Sequence, residues 1–400
     1  MFAAIQKFVT YSTSKNFHRF FTHHQRNMST VKGGKKLFTL SPGISLTTKQ
    51  AMLRDINTRD EEFTDAIKFI RRKLLDIAGA SPDKYTSVLM QGSGTFAIEA
   101  VLSTTIPRKA GKILVLENGS YGRLTDMIRI LAVDHTLIEF PNDRPIDVNR
   151  VEECLKNDVF TNVYMVHCEP GSGVFNSISE VGALIKKYNP DASFFVDAIC
   201  TFGAVPMDLQ ESNVHFMVGP TNKCIESVPG FAYVIAQKDR LLNCKGIARS
   251  SCLDLVAEYE KLEKSNQFRF TPPTHSILAF KQALIEHETE GGVAARGQRY
   301  KTNCEVLRAG MRKMGFKELV NDADNRFIIT PYLHPKHPNF NFQEFYGRLN
   351  DKDQVIYSGK VASSFSIGTM GHIFQDDIEY LLKCIEDVCN DMGIPLPLSD

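Results

Sequence analysis

The sequence predicts an α/β fold in which a large domain, built on a mostly parallel sheet, is followed by a smaller α+β domain at the C-terminal end. Three observations carry that expectation. Apolar runs of strand length alternate with segments of helical periodicity between residues 60 and 236. Several runs are apolar on successive residues, as in strands covered by helices on both faces. From about Thr274 the texture changes to two long helical stretches, short strands and a closing helix. The expected divisions are a basic tail over 1–36, a large domain over 37–273 and a small domain over 274–400.

Taken in order, Phe63, Ile67, Ile70, Leu74 and Ile77 recur at helical spacing, and "YTSVLMQ" (85–91) then reads as a strand. "GSGTFAIEAVL" opens with glycines and becomes helical. Further strands are expected at "KILVLEN" (112–118), "NVYMVH" (162–167), "SFFVDA" (193–198), "HFMVG" (215–219) and "FAYVIA" (231–236), with "SEVGALIKKY" a helix after the turn at Asn176. In the small domain, 274–289 and 293–314 read as helices, "FIITPYL", "QVIYSG" and "SSFSIG" as short strands, and 375–391 as the last helix.

Composition narrows the function. With 47 basic and 46 acidic side chains in 400 residues the formal charge is +1, so no global field draws the chain to nucleic acid or a lipid surface. A small-molecule partner is expected. No apolar run approaches the length needed to span a bilayer. The nine cysteines (154, 168, 200, 224, 244, 252, 304, 384, 389) show neither a C-x-x-C pair nor zinc-ligand spacing, which suits a reducing compartment. The first 36 residues stand apart: they carry Lys7, Lys15, Arg19, Arg26, Lys32, Lys35 and Lys36, and the first acidic residue is Asp55. That composition matches a mitochondrial transit peptide better than a secretory signal. The alternatives are a disordered basic tail, or a shorter cytoplasmic form starting at Met28.

Four features fall where candidate strands end. "QGSGT" (91–95) joins a strand to a helix amino terminus, where backbone N–H groups and the hydroxyls of Ser93 and Thr95 could hold a phosphate, although a Gly-Ser-Gly turn alone is more often only a turn. Asp197 ends "SFFVD", where an isolated charge is costly; it calls for a cation, or else caps a helix. Tyr121 could lay its ring over a flat ligand or sit half-buried in a core. Lys223 lies in a polar turn between two apolar runs, 26 residues beyond Asp197, and read alone it points to water. Together the four describe pyridoxal phosphate chemistry. That cofactor needs a lysine amine for its aldehyde, a carboxylate to keep its ring nitrogen protonated, a phosphate cup and a stacking surface.

The segments "YTSVLMQGSGTFAIEAVL", "NKCIESVPGFAYVIA", "ARSSCLDL", "RFTPPTHSILAF", "EGGVAARGQRY" and "VIYSGKV" resemble those of 2-aminoethylphosphonate–pyruvate transaminases, class V members of the fold-type I pyridoxal-phosphate enzymes. The resemblance runs from about Leu40 to residue 390. It implies that Lys223 bonds the cofactor, that Asp197 pairs with the ring nitrogen, and that Ser93, Gly94 and Thr95 hold the phosphate. It also puts Tyr121 at the ring-stacking position and Ser172 near the ring oxygen. Thr271 matches a residue that reaches the phosphate of the neighbouring subunit, which implies a homodimer with shared active sites. The reaction implied moves an amino group from 2-aminoethylphosphonate to pyruvate, giving phosphonoacetaldehyde and alanine.

The chain departs from that pattern where an acid group would be gripped. The family holds pyruvate with an arginine in a segment resembling F-R-I-G, because a planar guanidinium grips a carboxylate through two hydrogen bonds. Here the segment is "SSFSIGTMG", with Ser366 at the matching place. Ile44 in "LSPGI" replaces a family proline, Arg59 replaces a tryptophan, and "PGSG" replaces a threonine-rich loop after Glu169. Three readings follow. Transamination continues with Arg59 or Arg249 receiving the acid group; or the cofactor serves another substrate or an elimination; or the chain is an inactive cofactor-binding scaffold. His167 and Glu169 could form an acid–base pair, a structural role being the alternative. Arg296 and Arg299 are expected to be solvated or interface arginines, and Cys224 to pack beneath Lys223.

Overall fold

The computed structural model describes residues 34–119, 123–320, 327–361 and 363–399. Tyr121 and the basic stretch up to residue 33, Met28 included, lie outside the described residues. In chain order the elements are β1 (Lys36–Leu37), α1 (Leu46–Gln50), α2 (Glu61–Ile77), β2 (Tyr85–Gln91), α3 (Gly94–Thr105), β3 (Lys112–Glu117), α4 (Arg123–Ile130) and β4 (Asp134–Glu139). There follow α5 (Val148–Asn157), β5 (Asn162–Val166), α6 (Ile178–Tyr188), β6 (Ser193–Asp197), β7 (Phe216–Pro220), β8 (Phe231–Gln237), α7 (Lys238–Leu242) and α8 (Leu255–Ser265). The last part holds α9 (Thr274–Glu290), α10 (Gly292–Lys313), β9 (Ile329–Leu333), α11 (Phe342–Asp351), β10 (Gln354–Val355), β11 (Tyr357–Ser358), β12 (Ser364–Gly368) and α12 (Gln375–Asp391).

The central sheet has seven strands in the order β2-β8-β7-β6-β5-β3-β4. β7, β6, β5, β3 and β4 pair in parallel, and β8 is antiparallel to both β7 and β2, so β2 runs in the same direction as the parallel set. Every residue of β5, β6 and β7 is buried, which is why those runs are apolar without alternation. The amphipathic helices cover the faces: α2 turns Phe63, Ile67, Ile70 and Leu74 inward, as its spacing predicts. α6 starts where Ser177 accepts the Glu180 N–H, and α8 where Asp254 accepts the Ala257 N–H. β4 escapes the sequence reading because it is an edge strand. Its Asp134 and His135 are exposed, so it presents no apolar run.

The small sheet is antiparallel, in the order β11-β12-β9. The expected strand "QVIYSG" divides around buried Ile356: β10 pairs in parallel with β1, while β11 pairs with β12. The apolar cores divide later in the chain than residue 274. Ile277, Phe280, Ala283 and Leu284 of α9 and Tyr300 of α10 belong to the large core, whereas Leu307 and Met311, further along α10, belong to the small one. Phe38, from the other end of the chain, also packs in the small core.

Candidate active site

Parallel strands discharge their carboxyl ends on one edge, so the segments after β2, β5, β6 and β7 converge there. Asp197 closes β6 at 3 % exposure. Its Oδ1 accepts the Ile199 N–H at 2.8 Å and its Oδ2 the Tyr164 hydroxyl at 3.3 Å. Among the described residues no cationic side chain hydrogen-bonds it. Burial therefore pushes its pKa up to about 7, against the pull of the Ile199 N–H and the Tyr164 hydroxyl. A buried carboxyl so placed fits a ligand that brings its own cationic N–H.

Lys223 lies in the turn after β7. Its Nζ donates to the carbonyl oxygen of Leu40, so the strap between β1 and α1 closes over the lysine. Cys224, the next residue, is 1 % exposed, with Sγ donating to the Cys200 carbonyl at 3.1 Å. Ser93 is the N-cap of α3, yet its side chain makes no capping hydrogen bond. That leaves its hydroxyl and the first N–H groups of a 12-residue helix open to an anion. Gly94 packs closely there: a Cβ would stand 2.7 Å from Ile199 Cδ1, just beyond Asp197, and would push that side chain aside. A phosphate cup and a ring-nitrogen partner are thus brought together, and these residues fit pyridoxal phosphate.

The loop after β5 forms another wall. Glu169 is 2 % exposed and accepts the Gly171 N–H at 2.9 Å; burial raises its pKa. A Cβ on Gly119 would collide with this carboxyl at 2.1 Å, so the glycine makes room for it. His167 is paired with the Thr201 hydroxyl at 2.9 Å, and burial lowers its pKa to about 4, which keeps the imidazole neutral. It braces Thr201 rather than shuttling protons at neutral pH. Ser172, 2 % exposed, sits in the same loop and accepts the Val174 N–H at 3.4 Å.

The candidates for an acid group are placed less favourably. Ser366 is 4 % exposed in the middle of β12, opposite Tyr357 and Pro331. The expectation for Arg249 is corrected: its guanidinium donates to the carbonyls of Ser103, Ile106 and Pro107, closing the C-terminal end of α3. Arg59 is exposed and lines a cleft of about 260 Å³ with Thr271, Lys261 and Arg269, a cleft whose lining excludes Lys223 and Asp197. Arg296 and Arg299 are corrected too. Arg296 is 2 % exposed and both are ion-paired to Glu226 and Glu290. Their loss of water has no local signature, because charged and polar residues recur along the whole of the helix that carries them.

One residue the sequence reading missed is Lys360, at the β11–β12 turn. Its Cδ lies 3.3 Å from where a Cβ on Gly171 would stand, and its charge acts on both Glu169 and Cys200. Cys200 also feels Lys223, so the two lysines flank one region. Only the spatial meeting of the β11–β12 turn with the β5 loop reveals it. Among the described residues, no group of three or more His, Cys, Asp or Glu could hold a metal ion, and no helix is long and apolar enough to cross a membrane.

The family model described as Aminotransferase class-V matches residues 45–359. The chain is 44 % identical over 359 residues to the "Bifunctional phosphonoacetaldehyde hydrolase/aminoethylphosphonate transaminase" of Clostridioides difficile (strain 630), a match that covers 88 % of this chain and 56 % of that one. It is 42 % identical over 362 residues to a "2-aminoethylphosphonate--pyruvate transaminase" of Syntrophobacter fumaroxidans, covering 88 % and 96 %. The chain thus spans little more than half of the first relative and nearly all of the second. In fold it matches the ureidoglycine-glyoxylate aminotransferase of Bacillus subtilis (TM-score 0.83, 19 % identity, 92 % and 96 % covered). A pyridoxamine-pyruvate aminotransferase from Mesorhizobium loti matches similarly (TM-score 0.81, 21 % identity, 92 % and 95 % covered). With the lysine, the buried carboxyl and the open helix start all on one edge of the sheet, the chain belongs to the class-V aminotransferases, and its cofactor is pyridoxal phosphate.

Proposed function

We propose that the protein is a transaminase that moves the amino group of 2-aminoethylphosphonate, or a related small amine, to pyruvate, giving phosphonoacetaldehyde and alanine. The observation that carries this reading is the meeting of Lys223, Asp197 and the uncapped start of α3 in a chain whose relatives bear that name. Pyridoxal phosphate, when bound, supplies an aldehyde that condenses with amines and a ring that withdraws electrons from the carbon beside the nitrogen. Asp197 holds the proton of the ring nitrogen. Ser93, Thr95 and the α3 N–H groups receive the phosphate, and the Lys223 amine takes and returns the proton at the reacting carbon. The Leu40 carbonyl orients that amine.

The acid group of the acceptor meets Lys360 in this reading. Arg249 is committed to carbonyls and Arg296 and Arg299 to carboxylates, while Arg59 shares with Thr271 a cleft whose lining within one chain excludes Lys223 and Asp197. A lysine is a point charge without the guanidinium fork, so the grip on pyruvate is looser than in relatives with an arginine. Ser366 favours a second reading, an elimination that needs no acid clamp.

A homodimer is part of the proposal. Phe96 (52 % exposed) and Phe270 (46 %) rim a cleft of about 550 Å³ beside the phosphate cup, an apolar surface suited to a second copy. Thr271 would then reach across. Mitochondrial import through the basic tail also belongs here, with a cytoplasmic form starting at Met28 as its alternative.

The test uses the full chain. Borohydride added with pyridoxal phosphate should fix the cofactor on Lys223, and 2-aminoethylphosphonate with pyruvate should yield alanine. Ammonia released over many turnovers from the amine alone would establish elimination instead. A protein that traps the cofactor on Lys223 yet turns over no amine would be the inactive cofactor-binding scaffold.

A further inference from the structure

The turn that carries Lys223 is held by charges that the reaction itself does not use. Glu226 adopts φ +57°, a left-handed conformation that a residue with a side chain takes only when its surroundings over-determine it. Its N–H donates to the Lys223 carbonyl at 2.9 Å, closing the turn on the lysine. Its carboxylate, 6 % exposed as a residue, accepts the Tyr300 hydroxyl at 2.5 Å and the Arg299 guanidinium at 2.7 Å, with Arg296 at 3.4 Å. Arg296 also donates to the Cys224 carbonyl at 2.5 Å. The lysine's own peptide and the next one are therefore both tied to this cluster. Glu290, at the end of α9, pairs with both arginines at 2.7 and 2.8 Å.

The same cluster reaches the small-domain side. Arg299 Nη1 donates to the carbonyls of Gly371 at 2.6 Å and Ile373 at 2.9 Å, in the turn after β12. That turn touches the strap over Lys223, because the His372 N–H donates to the Gly43 carbonyl at 3.1 Å. The path closes on itself. It runs from Lys223 to Leu40, along the strap to Gly43, through the turn at Gly371–Ile373 to Arg299, and by Glu226 back to Lys223.

We propose that Glu226 and Arg299 are positioning residues that hold the Lys223 turn in its reactive register and tie it to the Gly371–Ile373 turn. Two cations, Arg296 buried and Arg299 half-buried, face two carboxylates, Glu226 buried and Glu290 half-buried, which leaves the cluster balanced, and the fork of Arg299 satisfies two elements at once, which a point charge cannot do. The inference rests on Lys223 being the cofactor-bonding lysine. Neither residue touches the reacting atoms; each acts through the lysine's backbone.

The test compares full-length Glu226→Gln, Glu226→Gly, Arg299→Lys and Tyr300→Phe with the parent. The readouts are the rate at which Lys223 captures pyridoxal phosphate in a borohydride-trapped adduct, the split between kcat and KM, and the urea midpoint. Arg308→Gln serves as control, since Arg308 forms a comparably enclosed pair with Glu318 at 2.5 Å in the small domain. The charge-altering variants should capture the cofactor about 100-fold more slowly, the scale of a 1 Å misplacement, and lower kcat with the amine KM unchanged. Arg299→Lys keeps the charge but lacks the fork, and should be slowed likewise. Glu226→Gly suits the left-handed backbone but lacks the carboxylate, so it should behave like Glu226→Gln. Tyr300→Phe, which removes one hydroxyl and keeps the ring, should slow capture about 5-fold even if a harsher variant fails to fold. Arg308→Gln should lower the urea midpoint and leave capture unchanged. Parent-like capture by Glu226→Gly, or slowing by Arg308→Gln equal to the others, overturns the inference alone. A parent that traps nothing at Lys223 overturns the transaminase reading and this inference with it.

Discussion

The turn that carries Lys223 and the turn that carries Lys360 both present a lysine to the region of Glu169 and Cys200, yet they are held in opposite ways. Around Lys223 the neighbours Thr221, Cys224, Ile225 and Ser227 are each 2 % exposed or less; buried Arg296 anchors the Cys224 carbonyl, and half-buried Arg299 holds the Glu226 carboxylate. Lys360 is exposed, between a two-residue strand and β12. The difference suits the two tasks proposed for them. A group that must take a proton at one carbon tolerates little displacement. A group proposed to admit and release a small acid can sit nearer to water.

The largest way to sharpen that contrast is at the buried lysine. Lys223→Ala should lower turnover by about 10⁴-fold and abolish the borohydride adduct, seen by steady-state kinetics and peptide mapping. Residual turnover within 10-fold of the parent would break the contrast. At Asp197 the effect has opposite signs in function and stability. Its pKa rises from 3.8 to about 7 on folding, so the proton that stabilises the fold is fully held below about pH 4 and is lost as pH rises through 7. Cofactor-free Asp197→Asn should therefore be more stable than the parent above pH 7, by on the order of 4 kcal/mol, with the gap closing towards pH 4 in urea titrations. Its turnover should fall about 100-fold, since amide nitrogen and oxygen cannot hold a cationic ring N–H as a carboxylate does.

The exposed lysine should give a smaller and more selective change. Lys360→Met should raise the pyruvate KM roughly 10-fold, near the value of one charged hydrogen bond, and leave the amine KM alone. An unchanged pyruvate KM would remove Lys360 from the acceptor's site. Arg249→Ala should leave both KM values alone and lower stability by about 1.5 kcal/mol in urea, because it strips the carbonyls at the end of α3 of their donor. Arg59→Ala should be the mildest, with both KM values within about twofold of the parent, as expected of an exposed cation outside the lysine's pocket. A large pyruvate effect there would shift the acid site to the Arg59–Thr271 cleft.

Much of the site was legible where chemistry and strand endings coincide. Asp197 ends an apolar strand, Lys223 lies in the turn just after another, Ser93 and Thr95 stand at the start of a helix, and a parallel sheet brings such ends together. The arginines were misread for a definite reason. Arg249, Arg296 and Arg299 sit in polar surroundings along the chain, and only distant carbonyls and carboxylates made them interior groups. β4 and the split of "QVIYSG" were hidden likewise, since edge strands and two-residue strands lack the apolar alternation that marks longer ones.

By itself, then, the sequence determined the parallel core of the sheet and the cofactor chemistry, because each of these depends on local pattern or on residue type near a strand end. Which lysine flanks Glu169 from the small domain, which arginines are tied up, and how the Lys223 turn is braced were decided only by the tertiary structure. Charges separated by tens of residues acquire their partners, and their loss of water, only when the chain has folded.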